Sequence, residues 1–173
     1  KGSQRYGELV QIALPHALFS AMYHADQRKF LDRLCNGDPS NITRFWDSQT
    51  DHPAYRGHVM HNHSYSDSHK YGIPYGLPGD EVSCVGCGKT WAKTAHCVSW
   101  SSLLVGCDVH LTMFMIFFVL SCLGGGKYGN DSLDELWRHV AWSLNALFSG
   151  IWPTHDVDGK PYTSGPAFAR AGK

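Results

Sequence analysis

The run from Leu133 to Phe148 constrains the fold of this chain most. Leu133, Leu136, Trp137, Val140, Ala141, Leu144, Leu147 and Phe148 recur at three- and four-residue steps, which draws one apolar stripe along a helix. Ser132 and Glu135 stand at its start in capping-box spacing, Gly150 sits where a left-handed cap is wanted, and Pro153 blocks continuation. A helix apolar on one side has to be laid against another apolar surface. The preceding segments offer one. Cys97–Val105 and Leu111–Leu120 read as strands, the second of them buried, since Thr112 is its only polar residue, and a third strand-like segment lies near Glu81–Val85. The expected architecture is α+β: three consecutive antiparallel strands, at about 80–87, 95–105 and 111–122, packed by a 132–149 helix. Burying the stripe contributes on the order of 1.5–3 kcal/mol per large side chain. A charge at Leu144 is therefore expected to unfold the domain.

Upstream, Pro15 suits a first helical position, and Leu18, Phe19, Met22, Tyr23, Phe30 and Leu34 recur at helical spacing until Gly37 and Pro39. The spacing predicts a helix of about 20 residues with a break near Asp26. From Asn36 to Pro78 the pattern dissolves into Gly, Pro, Asn, Asp, Ser and His, with a short helical turn expected at Ile42–Trp46. The chain is thus expected to divide into residues 1–72, an N-terminal helix with a His-rich irregular region, and residues 73–173. The N-terminal helix and the His-rich loop are expected to lie outside the sheet.

Composition narrows the function classes. Hydrophobic residues make up 43% of the 173-residue chain and charged ones 17%, which supports a packed core and excludes a disordered tail. Fifteen Lys and Arg balance fifteen Asp and Glu, against strong unaided binding to nucleic acid. Eleven histidines make the charge sensitive to pH between about 5 and 7. Cys35, Cys84, Cys87, Cys97, Cys107 and Cys122 are too scattered for a disulfide scaffold and are read as reduced, in an intracellular protein. Sequons at Asn41, Asn62 and Asn130 would suit secretion, but no signal peptide is read before them and secretion is not expected. The apolar run at Leu111–Leu120 is short of the roughly 20 residues of a membrane span, with Asp108 and His110 before it and Gly124-Gly125-Gly126 after it, so no membrane partner is expected. The chain opens at Lys1 and stops at Ala171-Gly172-Lys173 without a closing element, and is expected to be a fragment.

Three constellations could carry chemistry. Asp80 stands at a strand start, where a rigidly held carboxylate suits a ligand bridging two Mg2+ ions in nucleotidyl transfer, although turns also favour Asp beside Gly. His52, His58, His61, His63 and His69 cluster in the irregular region, and His61-Asn62-His63 would place both imidazoles on one side of an extended segment, as a zinc site needs. The alternative is a polar loop that happens to be rich in histidine. Cys84-Val85-Gly86-Cys87 has knuckle spacing, and the candidates for completing a zinc site are His96, Cys97, Cys107 and His110. Gly124-Gly125-Gly126-Lys127 lacks phosphate-loop spacing and reads as a turn.

Across much of the chain these motifs resemble a group of uncharacterised dinoflagellate mobile-element-like proteins. The resemblance rests on Gly79, Asp80, Val82, Gly86, Gly88, Lys89, Trp91 and Lys93. It continues through Ser99, Trp100, Ser102, Leu103 and Leu104, then Trp137, Trp142, Ser143, Ala146, Leu147, Gly150, Trp152, Pro153, Asp156 and Gly159. The segments LPHALFSAMY and FWDSQTDHPAYRGH are similar as well. That group in turn distantly resembles the DDE transposases of CACTA-type elements, which have a ribonuclease H-like fold. An acid at a first strand, two further strands and a helix is how the first half of such a fold reads. Pro78 stands where the pattern has His, and Glu81 where the transposases have Gly. The resemblance implies a truncated half of a ribonuclease H-like nucleotidyl transferase acting on DNA, nuclear, with Asp80 as its catalytic Mg2+ ligand and the remaining acids beyond Lys173. A zinc-binding or interaction domain without catalysis, using Cys84, Cys87, His61 or His63, and a decayed mobile-element reading frame are the alternatives.

Overall fold

The computed structural model describes residues 10–57, 67–85, 93–106, 112–120 and 131–173. The helical region is built by its punctuation. Helix α1, Pro15–Ala25, starts with Pro15 in the first turn. Asp26 adopts extended backbone (φ −163°, ψ 99°), ends α1 and caps α2, Gln27–Cys35, by accepting the Lys29 N–H at 3.0 Å. The expected break near Asp26 is thus a shared cap. Asn36 (φ 52°) and Gly37 (φ 77°) turn left-handed and close α2. The expected turn at Ile42–Trp46 is the middle of a longer helix, α3, Ser40–Ser48. It is anchored by Asp38, which accepts from the Ser40 N–H at 2.9 Å and pairs with Arg44 at 2.8 Å. A short helix α4, Ser68–Tyr71, precedes the sheet.

Among the described residues the sheet has four strands: β1, Tyr75–Gly76; β2, Gly79–Val85; β3, Lys93–Ser102; and β4, Phe114–Leu120. All pairs are antiparallel and β3 is central. Strands β1 and β2 pair with β3 in one unbroken register, from Tyr75↔Ser102 to Ser83↔Thr94, so they form a single edge interrupted only at Leu77-Pro78. Pro78 has no N–H to donate, which an edge tolerates, and its carbonyl still accepts from the Ser99 N–H at 3.0 Å. On the other side β4 pairs with β3 from Ala95↔Leu120 to Trp100↔Phe114, with a bulge between Val98 and Ser99. The expected three-strand antiparallel meander is present. Its helix, α5, spans Asp131–Ser149, and Gly150 (φ 68°) supplies the left-handed cap. Helix α6, Gly165–Arg170, follows a bridge between His155 and Pro161.

Strand alternation decides which side chains meet the helices. The row containing Glu81, His96 and Val119, and the next one containing Gly79, Val98 and Phe117, lie on the helix-covered face, where Val98, Phe117 and Val119 are buried. On the same face the buried Ser102 hydroxyl donates to the Leu34 carbonyl of α2 at 2.6 Å. The opposite face carries Asp80, Cys97 and Phe118, then Val82, Ala95 and Leu120. Val82, Phe118 and Leu120 are exposed there.

The N-terminal helices belong to this packing and do not stand apart from the sheet. Phe30, Leu34, Ile42 and Trp46 share one buried cluster with Val98, Trp100, Ile116, Phe117, Leu136 and Val140. Trp46 also donates its indole N–H to the Gly72 carbonyl at 2.7 Å, tying α3 to the chain just before β1. The apolar stripe of α5 is rotated from its expected centre. Leu136, Val140 and Ser143 are buried, Leu144 is half-buried, and Trp137 (39%) and Phe148 (47%) are exposed. Among the described residues no helix is long and apolar enough to cross a membrane.

Candidate functional site

Asp80 is the second residue of β2, held in the ladder opposite Cys97. It is therefore on a strand with a neighbour, not on a free bend. Its side chain is exposed, and one carboxylate oxygen accepts the Glu81 N–H at 2.8 Å, which orients the group along its own strand. Helix α5 covers the other face, so the side-chain row of Asp80 runs away from that helix, through Cys97 to Phe118.

The adjacent acid lies on the covered side. Glu81 is opposite His96, and its carboxylate lies 3.5 Å from the imidazole Nδ1, an ion pair when the histidine is protonated. A shallow groove of about 340 Å³ opens here, between the β2 edge and the start of α5. Glu81, His96, Phe117, Leu133 and Trp137 wall it, and Asp80 borders it. The Phe117 and Trp137 rings meet edge to face at 5.7 Å, so the exposed indole is propped on a buried ring. The groove thus joins an aromatic wall to an acid–imidazole rim.

As a Mg2+ ligand, Asp80 fits one role. It offers a single carboxylate, with one oxygen engaged by an amide and the other unengaged by any described hydrogen bond. Mg2+ is commonly held by one or two carboxylates, water and substrate phosphates, so one such ligand is chemically sufficient for a share of its coordination. Among the described residues no group of three His, Cys, Asp or Glu could hold a metal ion. The zinc candidates fall differently. Cys84 belongs to the end of β2 by its backbone, whereas Cys87, His61 and His63 lie outside the described residues. Cys97, a candidate to complete the knuckle, is a half-buried free thiol in the row of Asp80. The buried Cys35 thiol is pushed up in pKa, first by desolvation and then by Asp38.

One polar constellation escaped the reading of the sequence. His16, in the first turn of α1, is buried, and its Nδ1 lies 2.7 Å from the hydroxyl of Ser143 on α5. The same oxygen accepts the His16 backbone N–H at 3.1 Å. The imidazole stands edge to face with Trp142, at 5.0 Å, and Trp152, at 4.8 Å. Burial lowers the His16 pKa from its ordinary value. The only signal for this pair in the sequence was negative: Ser143 is the polar residue set beside an apolar stripe.

No protein-family model, no curated protein and no solved structure matches the chain.

Proposed function

We propose that this chain carries the first half of the catalytic fold of a transposase-like nucleotidyl transferase acting on DNA, with Asp80 as its Mg2+ ligand. One observation supports the reading above the others. An acid stands at the start of the first long strand of an antiparallel three-strand meander, and the following helix returns to pack on that meander. A strand gives such a ligand what a loop cannot: a fixed Cα position set by the ladder on its neighbour. The Glu81 amide adds to this by holding one carboxylate oxygen and leaving the other outward. When bound, Mg2+ would supply Lewis-acid stabilisation of charge on phosphoryl oxygens. The ribonuclease H-like assignment and a nuclear location belong to the same proposal.

Balanced charge shapes the expected behaviour. With equal numbers of basic and acidic residues, electrostatic attraction to the phosphate backbone is weak, so retention of DNA depends on the divalent ion. The test is DNA cleavage or strand transfer in the presence of Mg2+, made with the product of the complete gene. Asp80→Asn should reduce the rate by a factor of at least about 100, since a carboxylate ligand to the ion is lost. Asp80→Asn activity equal to the parent's would remove Asp80 from the chemistry. Binding of Mn2+, followed by its paramagnetic resonance, separates loss of the ion from loss of the step.

A further inference from the structure

Three segments of the chain meet at His16. It lies at the start of α1, its partner Ser143 is fully buried on α5, and Trp152 comes from the segment after α5. In the neutral arrangement the Ser143 hydroxyl accepts the His16 backbone N–H and donates its own proton to Nδ1. A proton on Nδ1 reverses the second bond. Ser143 would then have to accept twice, and its hydroxyl proton would be left without an acceptor in a buried site.

Among the described residues no carboxylate pairs with the ring. Helix α1 brings no acid to its first turn, and its N-terminal dipole opposes a cation there. From α5 come Ser143 and Trp142. The acids and base of that helix nearest the C-terminal segment are engaged with one another: Glu135 with Arg138 and His139, and Arg138 also with Asp158. From the C-terminal segment comes Trp152, whose ring lies under the Arg170 guanidinium at 5.0 Å, a further positive charge. Asp156 of that segment spends its carboxylate on the Asp158 and Lys160 amides, and the Lys173 ammonium on the Ala169 carbonyl.

We infer that His16 is an acid-sensitive latch: uncharged, it pins α1 and the Trp152 segment to α5, and its protonation frees them while the sheet stays folded. The sign follows from linkage. A histidine whose pKa falls on folding binds fewer protons in the closed form than in the open one. The closed form is fully favoured above the ordinary value of 6.5 and loses ground as the pH falls below it. Among the described residues the centre of the sheet is packed by Val98, Trp100 and Phe117, and its histidine, His96, lies toward the groove beside Glu81.

Amide hydrogen exchange on the whole chain, at about pH 7.5 and about pH 5 and corrected for intrinsic rates, tests the latch. Protection in residues 15–25 and 142–152 should fall together by about tenfold or more at the lower pH, with residues 93–102 unchanged. His16→Phe keeps a ring between the two tryptophans and cannot be charged, so it should show no fall. An equal fall in His16→Phe, or loss of protection in the sheet along with α1, overturns the inference. Should that variant not fold, NMR titration of the native chain decides. His16 titrating below its ordinary value, in step with a shift of the Trp142 and Trp152 indole signals, supports the latch. Titration at or above that value overturns it.

Discussion

At the scale of single residues, the two neighbouring acids Asp80 and Glu81 show how much rests on a one-residue step. Both lie in β2, yet alternation sends one to the open face and the other to the groove beside His96. That a carboxylate would stand at a strand start was legible, because Gly79 before it and the apolar runs after it mark the boundary. The face was not. It depends on the register with β3, which is set by packing of Val98 and Trp100 against helices distant in the sequence. Ser102 illustrates the same limit. Its hydroxyl reaches the Leu34 carbonyl, a partner 68 residues away, and also accepts the Leu104 N–H at 3.2 Å. Ser102→Ala removes a buried bond and leaves a buried carbonyl unpaired, so it should cost about 1–3 kcal/mol in urea unfolding. Ser101→Ala, one position along and half-buried, should cost much less. Equal effects would mean that the hydroxyl of Ser102 contributes nothing beyond its position.

At the scale of elements, ends were easier to read than faces. The C-terminal bound of α5 follows from local chemistry, since Gly150 reaches φ 68° without strain and its N–H closes on the Ala146 carbonyl at 3.1 Å, whereas the helix already includes Asp131, which puts Ser132 inside it and not at the cap expected of it. The break between α1 and α2 was likewise local, a single Asp serving both helices. The covered face of α5 was not local. Its apolar stripe centres near Leu144, but Leu136, Val140 and Ser143 face inward, with Ser143 bonded to His16. The consequence is measurable. Leu136→Ala should cost about 2–5 kcal/mol, the range for emptying a buried site, because Leu136 is 7% exposed. Phe148→Ala removes a larger side chain from the same stripe, yet should cost less than Leu136→Ala, because that ring is 47% exposed. A greater loss at Phe148 would show that the stripe as drawn from the sequence, and not its rotated version, faces the core.

At the scale of the whole molecule, pH dependence and cooperativity both bear on the packing of α2, α3 and α5 with the sheet in one buried cluster. Asp26, Asp38 and Glu135 all have pKa values held below the ordinary carboxylate range. The Lys29 amide is the leading cause at Asp26, the Ser40 hydroxyl at Asp38 and the Arg138 guanidinium at Glu135. Groups depressed on folding favour the native state above their unfolded pKa, and that favour is lost as the pH falls through the folded values, so acid below about pH 4 should weaken α2, α3 and α5 together. The His16 contribution begins to be lost higher, as the pH falls below 6.5, so stability is expected to decline from that value and to decline further below about pH 4. The cooperativity follows from Trp46. The indole is 5% exposed, lies in the cluster that contains Val98 and Phe117, and stacks on His69 at 6.1 Å. Nothing in the irregular stretch around it announced this role, since the partners come from strands more than fifty positions later. Trp46→Ala should cost about 3–5 kcal/mol. Its unfolding, followed by far-ultraviolet circular dichroism for the helices and by isotope-edited infrared absorption for β3, should move both transitions to lower urea by the same amount. Two independent units at 1–72 and 73–173 would behave otherwise: the helical transition would shift and the sheet transition would stay, and that outcome would refute the single shared core.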